Sequence, residues 1–182
     1  MQADIDEAFE AGSAAVVVGA LTPDGNIDEP ALEGFLRAAG TRPVHFHRAF
    51  DMCRNPFEAL EILCAAGVRG ILTSGQRRSA AEGVELIAEL VRRSGSQLRI
   101  LPGAGVTPAN AAAIIQRTGA GSIHFSAREA TGSPMRFRNP AVSMGSSTRD
   151  EYLRSYTSEQ SVRAIVEAVR QSPGAKWIDS TG

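Results

Sequence analysis

Five times along the chain an apolar, alanine-rich stretch with helical spacing runs into a glycine, at Gly12, Gly40, Gly67, Gly95 and Gly119. The intervals are about 28, 27, 28 and 24 residues. A few residues beyond each glycine comes a short apolar run, at 15–19, 44–47, 71–74, 98–102 and 123–126. Glycine in the position after a helix takes the left-handed conformation that closes the last turn. A short strand, a helix and a closing glycine, repeated at this length, make a βα unit. Five units in series predict parallel strands with helices outside them, and that confines chemistry to the loops beyond the carboxyl ends of the strands.

Helix starts are as legible as helix ends. Asn55-Pro56 and Thr107-Pro108 read as an N-cap followed by proline at the first helical position, and Asp28 with Pro30 and Ser79 before Ala80 are looser versions. In the fourth helix Glu82, Glu85, Glu89, Arg92 and Arg93 share one face, with Val84, Ile87, Ala88 and Val91 opposite. The strands are apolar until their last residues, which predicts cover on both faces. Residues 4–11 read as a helix with no strand before it. Residues 128–149, rich in Gly, Ser, Pro and Arg, read as an ordered loop leading to a final helix over about 158–171. The tail beyond Pro173, with Trp177, reads as frayed. One domain is expected over residues 1–182.

Two folds are built from consecutive βα units, an open doubly wound sheet and the closed barrel. No G-x-G-x-x-G follows the first strand, while spacing is even and polar groups sit on every strand end, so the barrel is favoured. The expected class is α/β of the (β/α)8 TIM-barrel type, here an incomplete barrel of about five parallel βα units, since a closed one takes eight strands in about 250 residues. Each large apolar side chain left uncovered forfeits about 1.5–3 kcal/mol, against a domain's margin of about 5–15 kcal/mol. Insolubility, or association through open sheet edges, is therefore expected.

A formal net charge of −1 gives no electrostatic case for nucleic acid or anionic membrane, and no apolar run approaches the roughly 18–20 residues of a membrane span. Met1–Asp6 has neither a basic nor a hydrophobic leader pattern, so a cytoplasmic address is expected. Two cysteines are too few for a disulfide framework. Cys64 follows Phe57 and Leu60 on an apolar stripe and reads as core; Cys53 falls in the loop after the second strand.

The richest strand end is Val44–Asp51. His45 and His47 point to one side of the strand, Phe46 and Arg48 to the other. The histidines are expected inside the barrel, with Arg48 and Asp51 following into the loop. Two histidines at i, i+2 with a carboxylate nearby can hold a divalent metal, transfer protons near neutral pH or bind substrate, or simply fill the barrel top as a hydrogen-bonded plug. Thr73, Ser74 and Gly75 end the third apolar run with hydroxyls and an approachable backbone. Gly103 and Gly105 follow the fourth, and His124 and Ser126 alternate at the fifth. Loops after the last strands of such barrels bind phosphate through backbone N–H groups, so Gly103, Gly105 and Ser126 form a candidate phosphate or carboxylate cradle, to which Arg136 and Arg138 could add charge.

At these residues the chain resembles the CutC family. The stretches that carry the resemblance are Asp24–Asp28, His47–Met52, Leu72–Gly75, Pro102–Val106, His124–Ala127 and Met135–Pro140, in order and spacing from about Asp4 to Tyr156. The resemblance implies a cytoplasmic (β/α)8 barrel, homodimeric when full length, with a role in copper homeostasis and copper as a possible ligand. It also implies about three further βα units ahead of the first one here, carrying the cysteines suggested as copper(I) ligands. Copper(I) prefers thiolates and thioethers, and Met52 and Cys53 are the only adjacent soft pair in this chain. Two functions follow: copper homeostasis through copper binding, or an enzyme acting on a small phosphorylated or carboxylated carbonyl compound. In the second, His47 is the acid–base, Arg48 the anion clamp and Asp51 its orienter. His45, Thr73, Ser74, Gly75, Gly103, Gly105, His124 and Ser126 line the ligand.

Overall fold

The computed structural model describes residues 1–142, 150 and 152–172. In chain order it contains α1 (Gln2–Glu10), β1 (Val16–Val18), α2 (Glu29–Ala39), β2 (Val44–Phe46), a 3-10 turn (Arg48–Met52) and α3 (Pro56–Ala65). There follow β3 (Gly70–Thr73), α4 (Val84–Ser94), β4 (Arg99–Pro102), α5 (Ala111–Thr118), β5 (Arg128–Gly132), β6 (Leu153–Thr157) and α6 (Glu159–Arg170). The five repeat glycines all have positive φ, from 53° to 91°. Asp28 caps α2 by accepting from the Ala31 N–H, and Asn55 caps α3 by accepting from Phe57 and Glu58. Two starts lie later than the sequence predicts. Ser79 and Thr107 each open a turn, closed by Glu82 and Asn110 respectively, and the helices begin at Val84 and Ala111.

Strands β1–β4 form one parallel sheet in sequential order. Val18, Phe46, Ile71 and Ile100 form one lateral row, all nearly inaccessible beneath the helices. The opposite, inner face is uncovered: Val17 is 59% exposed, and His45, Leu72 and Leu101 are only half-buried. The expectation of cover on both faces therefore fails, because the helices all lie on one side and no further strands close the curve among the described residues. This is an incomplete TIM-barrel-like fold.

The fifth expected strand, 123–126, is extended chain held to β4 by a single bond from the His124 N–H to the Pro102 carbonyl at 2.9 Å. Among the described residues it has no strand neighbour beyond it, and at Ala127 the backbone turns to a φ of 46°. The segment after it is not simply a loop. β5 and β6 pair antiparallel in a two-stranded ribbon with every residue exposed. Residues 143–149 of the expected loop, and the tail with Trp177, lie outside the described residues. Cys64, expected in the core, is half-buried.

Candidate functional site

The loop after β2 folds into its 3-10 turn because His47 caps it: the Nδ1 atom accepts from the Ala49 N–H at 3.1 Å. Nδ1 as acceptor places the ring proton on Nε2. The ring packs on the α-carbon of Gly19 at the end of β1, where any side chain would collide with it.

One turn later Asp51 is driven under the mouth of the sheet. Its side chain is 6% exposed. The Oδ2 atom accepts from Arg48 Nε at 2.7 Å. Oδ1 accepts from the Thr73 hydroxyl at 2.5 Å and the Gln76 N–H at 3.2 Å, and the Ser74 N–H lies 3.0 Å from both oxygens. Burial pushes the carboxyl pKa up, but the bonds from Thr73, Arg48, Ser74 and Gln76 outweigh it and hold the group below the ordinary aspartate value. So saturated a carboxylate is an anchor rather than a base.

What Asp51 anchors is Arg48. The guanidinium gives its Nε–H to Asp51 and one Nη2–H to Ser74 Oγ at 2.8 Å. Arginine carries five N–H bonds; the remaining ones have no partner among the described residues, and the side chain stays 45% exposed. It projects into a cavity of about 360 Å3 at the carboxyl ends of the strands, which Gly105, Thr107, His124, Ser126 and Arg128 also line.

The structure thus brings together Arg48, Asp51, Thr73, Ser74, Gly105, His124 and Ser126. Gly75 supports them from beneath, its N–H bonded to Thr73 Oγ1 at 2.9 Å and its α-carbon against the Gly83 carbonyl. Gly103 gives its N–H to the Thr73 carbonyl, and a Cβ there would lie 2.6 Å from Leu72 Cδ1. Its role in the geometry is close approach. His47 stands at the rim. His45 is not with the others: it shares the inner face with His47 but lies one residue row lower, opening on a different cavity at the amino-terminal ends of the strands. Arg138 stacks on the Tyr152 ring at 3.9 Å, within the segment between the ribbon strands, and Arg136 is exposed.

Sequence reasoning missed Thr107, Arg128, Ser161 and Gln76. The first three line the mouth cavity. Gln76, in the left-handed region at φ 55°, bonds Asp51 through its N–H and the Cys53 carbonyl through its amide at 2.7 Å. The Thr-Ser-Gly-Gln run signals a turn, but nothing in it signals that the turn closes over a carboxylate.

Soft metal ligands are not assembled here. The Cys53 thiol is buried, contacts the Gln76 amide at 3.5 Å, and is pushed up to about 11 by burial, with the Asp51 charge adding and the Gln76 bond opposing. Met52 is 77% exposed. Among the described residues no group of three or more His, Cys, Asp or Glu is placed to hold a metal ion.

The family model described as the CutC family matches residues 1–129. Curated relatives named as CutC family proteins include one from Chromobacterium violaceum, 43% identical over 93% of this chain and 68% of its own length. Another, from Mesorhizobium japonicum, is 44% identical over 93% of this chain and 66% of its own. A crystal structure titled as a copper homeostasis protein CutC, from Streptococcus agalactiae, superposes with a TM-score of 0.65 at 34% identity, over 68% of this chain and 60% of that one. A structure titled native KDPGal reaches a TM-score of 0.54 at 19% identity, a likeness of fold alone. The chain spans about two thirds of the length of these curated relatives and 60% of the solved CutC chain.

Proposed function

This chain belongs to the CutC family, and from that premise we propose a role in copper homeostasis that works through a small phosphorylated or carboxylated ligand held at the carboxyl ends of the strands. The solved relative's title supplies the copper connection. The observation that carries the ligand is Arg48: its guanidinium is fixed on two sides by Asp51 and Ser74 and turns its unused N–H bonds into the cavity. A guanidinium fixed in place matches the two-oxygen edge of a carboxylate or phosphate without losing rotamer freedom on binding. Thr107, Ser126 and Arg128 line the same cavity and supply further donors.

A second reading, chemistry on a carbonyl compound, is favoured by the His124 imidazole in that same cavity. There it takes the proton-transfer part that the sequence gives to His47, whose Nδ1 is spent on the cap. Direct copper(I) coordination has less support, since the buried Cys53 thiol and the outward Met52 do not fit a soft donor set. The cytoplasmic address and the homodimer implied for full-length members belong to the same proposal.

The test is titration with inorganic phosphate and with small phosphorylated and carboxylated carbonyl compounds, read from the His124 ring resonances. Saturable shifts are expected for the parent, and binding at least about tenfold weaker for Arg48→Ala. Equal binding by both proteins overturns the reading. A copper(I) titration of the parent beside Cys53→Ser decides direct coordination: loss of a stoichiometric site in the variant would establish it against this account.

A further inference from the structure

The lower half of the inner face holds a second concavity with its own chemistry. Val17, His45, Gly70 and Arg99 are register partners in one row across the four strands. Gly70 contributes no side chain to that row, and a Cβ there would lie 2.6 Å from His45 Nδ1 and 3.0 Å from the Arg99 carbonyl oxygen. The imidazole therefore leans over the glycine, and beside it opens a cavity of about 710 Å3, floored by the turns at 94–98 and 119–121. The next row up, Leu72 and Leu101, is an apolar layer between this cavity and the mouth.

Its charge is one-sided. Arg69, the residue before β3, and Arg99, the first of β4, both line it, their backbones joined by an Arg99 N–H to Arg69 carbonyl bond of 3.0 Å. Neither guanidinium has an ion-pair partner among the described residues. Among the described residues no carboxylate lines the cavity, whereas Gln97 and Ser96 add neutral donors. Burial, then the Arg99 charge, holds the His45 imidazole below its ordinary value. Two like charges beside a half-buried imidazole repel one another, and an anion between them adds an attraction to each guanidinium that offsets that repulsion.

We propose that His45, Arg69 and Arg99 form a second anion site, at the amino-terminal ends of the strands, for the phosphate or carboxylate group of a small molecule. The two arginines offer planar forks to the oxygens, and His45 adds a third donor from the sheet floor. The site is independent of the mouth, since it shares no lining residue with it.

The chain has 3 histidines, which makes the test local: His45 reports the lower cavity and His124 reports the mouth. The full chain is titrated with inorganic phosphate and, separately, with succinate, at constant ionic strength set by chloride, while the imidazole resonances are followed. A saturable shift of His45 is expected with at least one of the two, and the arm that saturates at lower concentration identifies phosphate or carboxylate as the preferred group. The same curve is expected in Arg48→Ala, and one at least about tenfold weaker in Arg99→Ala. Arg69→Gln serves as the second variant if Arg99→Ala melts without a cooperative transition. A His45 signal that stays still, or that shifts without saturating or equally with chloride alone, shows an adventitious ion only and overturns the proposal. So does an unchanged curve in a folded arginine variant.

Discussion

Arg48 Nε and Asp51 Oδ2 meet at 2.7 Å across a single 3-10 turn, the carboxylate 6% exposed and the guanidinium 45%. The buried partner is bonded from five directions, counting Arg48, Thr73, Gln76 and both the N–H and Oγ of Ser74. The exposed partner is left with donors to spare. The pair is therefore unequal in function: Asp51 ties the ends of β2 and β3 together, and Arg48 is what that tie presents to the mouth.

Removing the carboxylate strands those donors. Asp51→Ala is expected to cost about 3 kcal/mol, the range for breaking a buried, hydrogen-bonded charge. Because the folded-state pKa of Asp51 lies below that of an unfolded chain, about 3.9, its stabilisation is fully present above that value. It is lost as the pH falls through the folded one. Melting midpoints measured from neutral into acid should fall for the parent, and Asp51→Asn should flatten that acid limb. A variant as acid-sensitive as the parent would assign the effect to other groups.

Arg48→Lys keeps the charge but cannot reach Asp51 and Ser74 while still offering a fork to a ligand. Stability should change by less than about 1 kcal/mol, since the arginine is nearly half exposed, while mouth binding of phosphate or carboxylate weakens by at least about tenfold. Retained affinity in the lysine variant, by titration calorimetry, would show that charge alone suffices.

The two thiols should react at very different rates. Cys53 is buried and its pKa is pushed up to about 11, whereas Cys64 is half-buried with a pKa raised by burial alone. An aromatic disulfide reagent at mildly alkaline pH is expected to modify Cys64 first in the native protein, and both at once after denaturation. Cys64→Ser should leave only the slow native phase.

Gly103→Ala is expected to destabilise by about 1–3 kcal/mol. A methyl there meets Leu72 Cδ1 at 2.6 Å and His124 Cβ at 3.4 Å, two neighbours that also line the mouth. The same variant should therefore shift the His124 ring resonance. A change in melting temperature with His124 undisturbed would localise the strain elsewhere.

The glycine rhythm and the caps at Asp28 and Asn55 made the βα repeat readable before any coordinates, because both are local backbone requirements. The convergence of Ser74, Gly105, His124 and Ser126 follows from the parallel direction of the strands alone. What lay beyond local pattern was the level of each side chain. His45 and His47 share a face by alternation, but they sit at different levels: His45 lines the lower cavity, whereas His47, just past the three-residue strand, caps the turn at the rim. The ribbon of β5 and β6 escaped notice for another reason: Arg-Glu-Ala-Thr-Gly and Leu-Arg-Ser-Tyr-Thr are exposed on both sides, so neither shows the alternation that marks a half-buried strand. The saturation of Asp51 escaped because its donors other than Arg48 come from β3 and the turn after it, 22 to 25 residues away.

One flank of the four-stranded sheet is β1, whose backbone among the described residues is laddered only to β2. Its outward amides and carbonyls amount to a template that any extended segment, including another molecule's β1, can dock against without side-chain selectivity. Light scattering of this polypeptide should therefore depend on dilution, and substituting Val17 by lysine, which charges that flank, should shift the distribution towards single chains. Dissociation constants for the mouth and for the lower cavity then need to be compared at one protein concentration.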